Sequence, residues 1–259
     1  MNTLPAPPSF WADRLKASAI HLGLSLTIAA LAALLVFGIW YPYPYREISG
    51  GRELFLLVVT VDVILGPLIT LAVFNRKKPW AELRRDLAIV ALLQLGALGY
   101  GLWTVYVARP VHMVFEIDRF RVVHAIDVPE ELLDKTPPSV TALPVAGPTL
   151  LSLRPFKSSN ESMEATVAAL QGLPLSARPD LWQSYAAGVP DILKMAKPIA
   201  LLKSRFANQV TEIDRILAAT GRAPQSVVYL PMIGRKSFWT VFLDPVTAEV
   251  LAYMPLDSF

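Results

Sequence analysis

The sequence contains no cysteine, which excludes disulfide bridges and thiolate chemistry. Histidine is scarce as well, with only His21, His112 and His124 present. The short motifs of zinc proteases, P-loop nucleotide sites, dinucleotide sites and serine hydrolases do not occur. His112 and His124 fall in one presumed hairpin without clustered carboxylates, a pattern more typical of strand residues than of a metal site. We therefore expect no enzymatic activity, no cofactor and no metal.

Charged residues are few, at 17% of the 259 residues, whereas 54% are hydrophobic and the mean hydropathy is +0.45. This is too apolar for an ordinary soluble protein. Residues 1–107 hold nine Lys/Arg and six Asp/Glu, and residues 108–259 hold fifteen of each. The net charge of +3 therefore comes from residues beside the apolar runs, and it gives no reason to predict nucleic-acid binding.

Three apolar runs, at residues 17–40, 54–74 and 87–107, have the length of helices that span a lipid bilayer. The first loop carries two Lys/Arg, whereas the flanks on the opposite side carry seven. By the positive-inside rule, the N-terminus and the second loop are cytoplasmic. Everything after Val107 is then outside, which in a bacterium with two membranes is the periplasm. We predict a multi-pass protein of the bacterial inner membrane.

The sequence WYPYPY follows the first apolar run, in place of the small residues of a signal-peptide cleavage site. We therefore expect the first run to stay in the protein as an anchor. Trp40, Tyr41, Tyr43 and Tyr45 lie where a helix would leave the bilayer. This position predicts an aromatic belt at the outer membrane interface.

The rest of the chain predicts an α+β domain. Six prolines between residues 129 and 157 disfavour a regular helix there. The domain boundaries are predicted as a membrane domain at residues 1–108 and a periplasmic α+β domain at residues 109–259, with a mainly antiparallel sheet. Composition and periodicity predict a hairpin at 111–128, helices at 159–170 and 199–220, and strands at 226–231, 237–243 and 249–254.

Asp62 is the most informative residue, because it lies inside the second apolar run. A carboxylate at that depth costs several kcal/mol unless it is paired or faces the protein interior. Asp62, Gly66 and Thr70 recur every four residues, so they form one small, polar stripe, and Pro67 predicts a kink beside it. Two interpretations stay open: the stripe recognises a transmembrane helix of another protein, or it holds this protein's own helices together.

Depth along the helices suggests an internal donor for Asp62. At 1.5 Å per residue, the third run reaches the depth of Asp62 near Tyr100, whereas His21 and Gln94 fall too near the cytoplasmic side. No Lys or Arg lies in the middle of any run. Asp62 is therefore predicted to be either protonated or paired with a group from another protein.

Three stretches resemble a known family: WYPYPYREISGGRELFLLVVTVDVILGPLITLAVFN, RRDLAIVALLQLGALGYGLWTVYVARPV and VFEIDRFRVVHAIDV. They are similar to the type IV pilin accessory proteins of the TfpX/TfpZ kind, with SGGRELF…VDVILGPL…FN as the most specific pattern. The resemblance implies an inner-membrane protein without enzymatic activity that assists assembly, surface display or retraction of a cognate type IV pilin.

Such a pilin waits in the membrane as a single helix before it is extracted. We expect Asp62, Gly66, Pro67, Thr70 and Tyr100 to contribute to binding that helix, and the periplasmic domain to bind the pilin head. The alternative is a membrane-anchored periplasmic sensor or a subunit of a transport complex. Three spans with one acidic residue and no cytoplasmic output domain argue against this alternative.

Overall fold

A computed structural model describes residues 10–259. Residues 1–9 lie outside the described residues. They include the N-terminus, which we predict to be cytoplasmic. The chain divides into two compact units. The helical unit combines the residues up to Gly38 with Arg52–Tyr106, and the sheet unit combines Ile39–Gly51 with Val107–Phe259.

The α-helices are, in chain order, α1 (Phe10–Leu35), α2 (Tyr45–Ile48), α3 (Gly51–Thr60), α4 (Gly66–Val73), α5 (Trp80–Val107), α6 (Ser159–Leu170), α7 (Tyr185–Met195), α8 (Ile199–Arg205) and α9 (Val210–Ala219). The strands are β1 (Pro110–Glu116), β2 (Arg119–His124), β3 (Thr149–Leu153), β4 (Trp182–Ser184), β5 (Lys197–Pro198), β6 (Val228–Ile233), β7 (Phe238–Leu243) and β8 (Val250–Met254).

All three predicted spans are helices, over Trp11–Trp40, Gly51–Val73 and Trp80–Val107. By length and composition each is able to cross a membrane. The second is not a regular α-helix, because one π-helical segment, Val61–Leu65, separates α3 from α4. Such π segments are rare and occur often at functional sites. Asp62 lies within this one, five residues before Pro67.

The sheet unit is built on one mixed sheet with the order β4-β3-β1-β2-β6-β7-β8, and β5 also pairs with β6. β1 runs parallel to β3, and β2 runs parallel to β6, while the remaining pairs are antiparallel. The predicted mainly antiparallel sheet is therefore wrong. The prediction counted only hairpins, and it missed β3 because prolines surround that strand in the sequence.

The first loop belongs to the core of the sheet unit. Tyr45 and Ile48 are buried in the same hydrophobic cluster as Met113 and Phe120. The Tyr45 hydroxyl lies 3.5 Å from the sulfur of Met113 and 3.4 Å from the hydroxyl of Tyr253. The backbone N–H of Lys236 donates to the carbonyl of Ile48 at 3.0 Å.

The predicted aromatic belt is therefore wrong for Tyr41 and Tyr45, whose side chains are buried in the unit. Gly51 explains how the Tyr41 ring fits, because a Cβ at that glycine would lie 2.3 Å from the ring. Gly50 adopts a left-handed φ of 76°, which glycine tolerates best. The two glycines thus end the loop for different reasons: Gly50 adopts the positive φ, and Gly51 leaves room for the Tyr41 ring.

Helices and irregular segments cover both faces of the sheet. One cluster packs Ile192 of α7 with Phe120 and Met232, and another packs Leu202 of α8 and Ile213 of α9 against other strand residues. The predicted helix 199–220 is broken, because Phe206 adopts φ −117° and ψ 56° between α8 and α9. Helix α6 has the predicted bounds.

Candidate functional site

The helical unit contains a cavity of about 230 Å³ between its three long helices. Four of its lining residues are polar, and each long helix contributes at least one of them. The remaining walls are apolar, so the polar groups are confined to one region of an oily cavity. The polar lining residues are His21, Ser25, Asp62 and Gln94, and the apolar ones include Leu24, Ile28, Val59 and Leu98.

The Asp62 carboxylate lines this cavity without a bonded partner. Both of its oxygens are buried, and neither accepts a hydrogen bond from any residue among 10–259. No Lys or Arg lines the cavity. A buried polar group without a partner is costly to a folded protein, so such groups are rare unless they have a role.

Gln94 on α5 is the residue that contacts the backbone at Asp62. Its side-chain amide donates to the main-chain carbonyl of Asp62 at 3.2 Å. Gly66 permits this approach, because a Cβ at position 66 would lie 1.9 Å from the Gln94 amide nitrogen. The second and third long helices also approach closely at Gly101 of α5, which faces Val58 of α3.

The other end of the predicted stripe contacts α1. The Thr70 hydroxyl lies 2.5 Å from Nδ1 of His21, and Ser18 donates to the carbonyl of Pro67 at 2.8 Å. Gly66, Pro67 and Thr70 are all buried. These three residues thus hold the protein's own helices together, and within the stripe Asp62 is the member left with unsatisfied polar atoms.

Two expectations about the partners of Asp62 are wrong. Tyr100 is 75% exposed and does not donate to the carboxylate. Gln94 and His21, which we expected too near the cytoplasmic side, line the Asp62 cavity instead. The predicted depths require Leu54 and Val107 to lie at the same level in the membrane. The second helix begins earlier, at Gly51, and α5 is displaced along it.

A second, larger cavity of about 490 Å³ adjoins the first and shares His21, Leu24 and Ala91 with it. Its lining reaches Asp13 and Arg76, which form an ion pair at 3.2 Å near the ends of α1 and α4. Together the two cavities make a mostly apolar groove along the helical unit. The groove leads from a charged end to the unpaired carboxylate of Asp62.

The histidines of the hairpin have internal roles. The register pairs His112 with Val123 and His124 with Pro110, so the two rings are not cross-strand partners. His112 Nε2 lies 2.9 Å from the carbonyl of Ala142, and His124 Nδ1 lies 3.1 Å from the Asp127 carboxylate. Burial lowers the pKa of His112 to about 4. Within residues 10–259, no group of three His, Cys, Asp or Glu is placed to hold a metal ion.

These features, an α+β unit and three apolar helices around a mostly apolar cavity with a few polar groups, can be compared with known proteins. The family model described as fimbrial assembly protein FimB matches residues 9–50. This stretch covers the first long helix and the loop that packs into the sheet unit. No solved structure matches the chain.

Two relatives from Dichelobacter nodosus match almost the whole chain, and a third matches about half of it. The fimbrial assembly protein of serogroup I is 37% identical over 94% of this chain and 95% of its own length. The serogroup E1 protein is 34% identical over the same shares. The protein of serogroups C1 and C2 is 44% identical over 47% of this chain and 91% of its own length. The chain therefore belongs to the fimbrial assembly protein family.

Proposed function

We propose that this protein is an inner-membrane accessory protein that assists assembly, surface display or retraction of a cognate type IV pilin. The likeness to named fimbrial assembly proteins over 94% of the chain supports the role in assembly. The three apolar helices support a place in the membrane, and the distribution of Lys and Arg supports a cytoplasmic second loop. The proposed activity is binding, without catalysis.

The binding mode rests on one observation, the buried and unpaired carboxylate of Asp62 in a cavity between apolar helices. A pilin in the membrane is a single helix, and the groove along the helical unit offers an apolar surface to it. A hydrogen-bond donor or a cationic group on that helix would satisfy Asp62. In the low dielectric of the bilayer, such a contact favours the correct partner over helices without a donor at that depth.

Site-specific photocrosslinking in cells tests this binding mode. A photoreactive residue at Ile28, which lines the Asp62 cavity, should crosslink to the pilin. The matched control is Leu57 of α3, which is 68% exposed and does not line the cavity. Equal crosslinking from both positions, or no pilin crosslink from Ile28 in piliated cells, would contradict the proposal.

A further inference from the structure

Ile117, at the tip of the β1–β2 hairpin, has an unfavourable backbone that no packing compensates. Its φ of 59° lies in the left-handed region, where a β-branched residue is a rare outlier. The side chain is 70% exposed. Ala248 also has a positive φ, of 57°, but it is buried in the core. The two-residue turn between Glu116 and Arg119 requires a positive φ, which Gly, Asn or Asp adopts at the least cost, so an exposed isoleucine at this position needs another reason.

One side of Ile117 borders a cavity of about 700 Å³, within the range of ligand sites. Three arginines line it against two carboxylates: Arg119, Arg121 and Arg235 face Glu116 and Asp127. Each arginine donates one N–H to a carboxylate, at 2.6–2.7 Å. A guanidinium has five such donors, so the group keeps unused donors for an anion.

The other side of Ile117 borders a cavity of about 250 Å³ whose lining is mainly apolar but includes Arg154, Asp191 and Lys194. Ile117 and Leu175 line both cavities and form the ridge between them. Phe156 and Met195, which also line the smaller cavity, are each more than one-third exposed. An arginine-rich cavity and a mainly apolar cavity thus lie side by side, separated by Ile117 and Leu175.

We propose that this hairpin tip is a docking surface for an extended segment of a partner protein that carries acidic side chains next to a large apolar one. The carboxylates would take the unused guanidinium donors, and the apolar side chain would fill the smaller cavity beside Ile117. Each arginine is already paired with one carboxylate, so the acidic segment is selected by the unused guanidinium donors, for which carboxylates are the strongest acceptors. Bidentate arginine–carboxylate pairs would fix its direction.

The surface lies entirely in the sheet unit and depends on nothing in the Asp62 cavity. This proposal can therefore be tested independently of helix binding in the membrane. Arg119 is the best residue to change. Arg121 pairs with Glu116, which also accepts a hydrogen bond from the backbone N–H of Ser176. Arg235 pairs with Asp127, which also contacts the ring of His124. Arg119 pairs only with its neighbour Asp118 and lies over the Phe259 ring.

The test measures binding of labelled peptides to the full chain in nanodiscs of zwitterionic lipid, by fluorescence anisotropy. Four peptides carry a Glu-Glu pair and a Leu separated by zero to three glycines. We expect at least one to bind. Replacing its glutamates with glutamines should weaken binding about tenfold, because charge-assisted hydrogen bonds are lost. Replacing its leucine with glycine should weaken binding as well.

Two variants of the protein locate the binding site. Arg119→Glu should weaken binding about tenfold, whereas Arg215→Glu, which reverses an exposed arginine of α9 outside the cavities, should not. Ile117→Gly should weaken binding while the melting temperature stays constant or rises, because glycine relieves the positive φ. A purely structural Ile117 would instead lower the melting temperature when replaced.

Two results would overturn the proposal. In the first, none of the four peptides binds. In the second, a peptide binds but its binding is insensitive to both Ile117→Gly and Arg119→Glu. If no peptide binds whereas vesicles containing phosphatidylglycerol bind in an Arg119-dependent manner, the hairpin tip is a contact with lipid headgroups.

Discussion

The side-chain amide of Gln94 lies directly over Gly66 and donates to the carbonyl of Asp62 at 3.2 Å. This contact joins the second and third long helices at the level of the unpaired carboxylate. The Gln94 amide has a second N–H, but it makes no hydrogen bond to the Asp62 carboxylate. The packing of the helical unit therefore leaves both Asp62 carboxylate oxygens without a hydrogen bond from residues 10–259.

A glycine series tests this packing. Gly101→Ala should lower the stability of the helical unit by about 1–3 kcal/mol, because its Cβ meets the stiff Val58 side chain at 2.5 Å. Gly66→Ala should cost about 1 kcal/mol, because it displaces the flexible Gln94 amide and breaks one hydrogen bond. Gly99→Ala is the control, since a Cβ there meets nothing within 4 Å. Thermal unfolding in detergent measures all three, and equal melting temperatures would contradict the packing.

The first loop should be required for a stable sheet unit. A fragment that starts near Arg109 lacks Tyr45 and Ile48, which fill the core of this unit. It should melt without cooperativity, and adding a peptide of residues 39–51 should restore a cooperative transition. Near-UV circular dichroism follows both states. A cooperative melt of the fragment alone, unchanged by the peptide, would show that the loop is dispensable.

A point substitution in the full chain checks the same claim. Ile48→Ala should destabilise the sheet unit by about 2–5 kcal/mol, the usual cost of a cavity in a packed core. Val246→Ala is the matched control, because Val246 is 76% exposed. Denaturant midpoints of the two variants should differ clearly, and similar midpoints would place Ile48 outside the core.

Acid should destabilise the sheet unit through His112. Its pKa is about 4 when folded and 6.5 in the unfolded chain, so the unfolded state binds more protons between these values. Stability is therefore complete above pH 6.5 and decreases as the pH falls toward 4, by on the order of 3 kcal/mol. Burial also lowers the pKa of His124, which acts in the same direction.

Urea denaturation between pH 7.5 and 4 measures this dependence, and His112→Asn should reduce its slope. The Ala142 carbonyl can only accept, so neutral His112 donates from Nε2 and accepts from the Thr149 hydroxyl at Nδ1. Asparagine offers a donor and an acceptor but does not titrate. An unchanged slope in His112→Asn would assign the acid sensitivity to other groups.

The sequence predicted those elements whose signals are local. Apolar runs of about 20 residues identified the long helices, and composition and periodicity identified α6, whose N-cap in the structure is Ser158. Long-range pairings left no local signal. β3 follows a proline-rich stretch and owes its place to parallel pairing with β1, and Tyr45 resembles a membrane-interface tyrosine until the fold buries it.

The candidate site was predictable in part. A lone carboxylate in an apolar run identified Asp62 from the sequence, because its cost in the bilayer is independent of the fold. Its neighbours were not predictable, since the choice between Tyr100 and Gln94 depends on the offset of two helices along their axes. Gly66 was the missed signal, because the absence of a side chain at this residue lets the Gln94 side chain approach the backbone of the second helix closely.

The central claim is that Asp62 contributes to binding a pilin helix, and piliation of cells carrying Asp62 variants tests it most directly. Asp62→Asn keeps the shape and removes the charge, and Asp62→Leu removes both charge and hydrogen bonding. Leu57→Asn is the control, because it places an amide on an exposed position of the same helix. If Asp62→Leu reduces piliation and Asp62→Asn does not, Asp62 acts through a hydrogen bond and not through its charge. We predict that both Asp62 variants lose pili at normal protein level while Leu57→Asn keeps them, and normal piliation in both Asp62 variants would contradict the account.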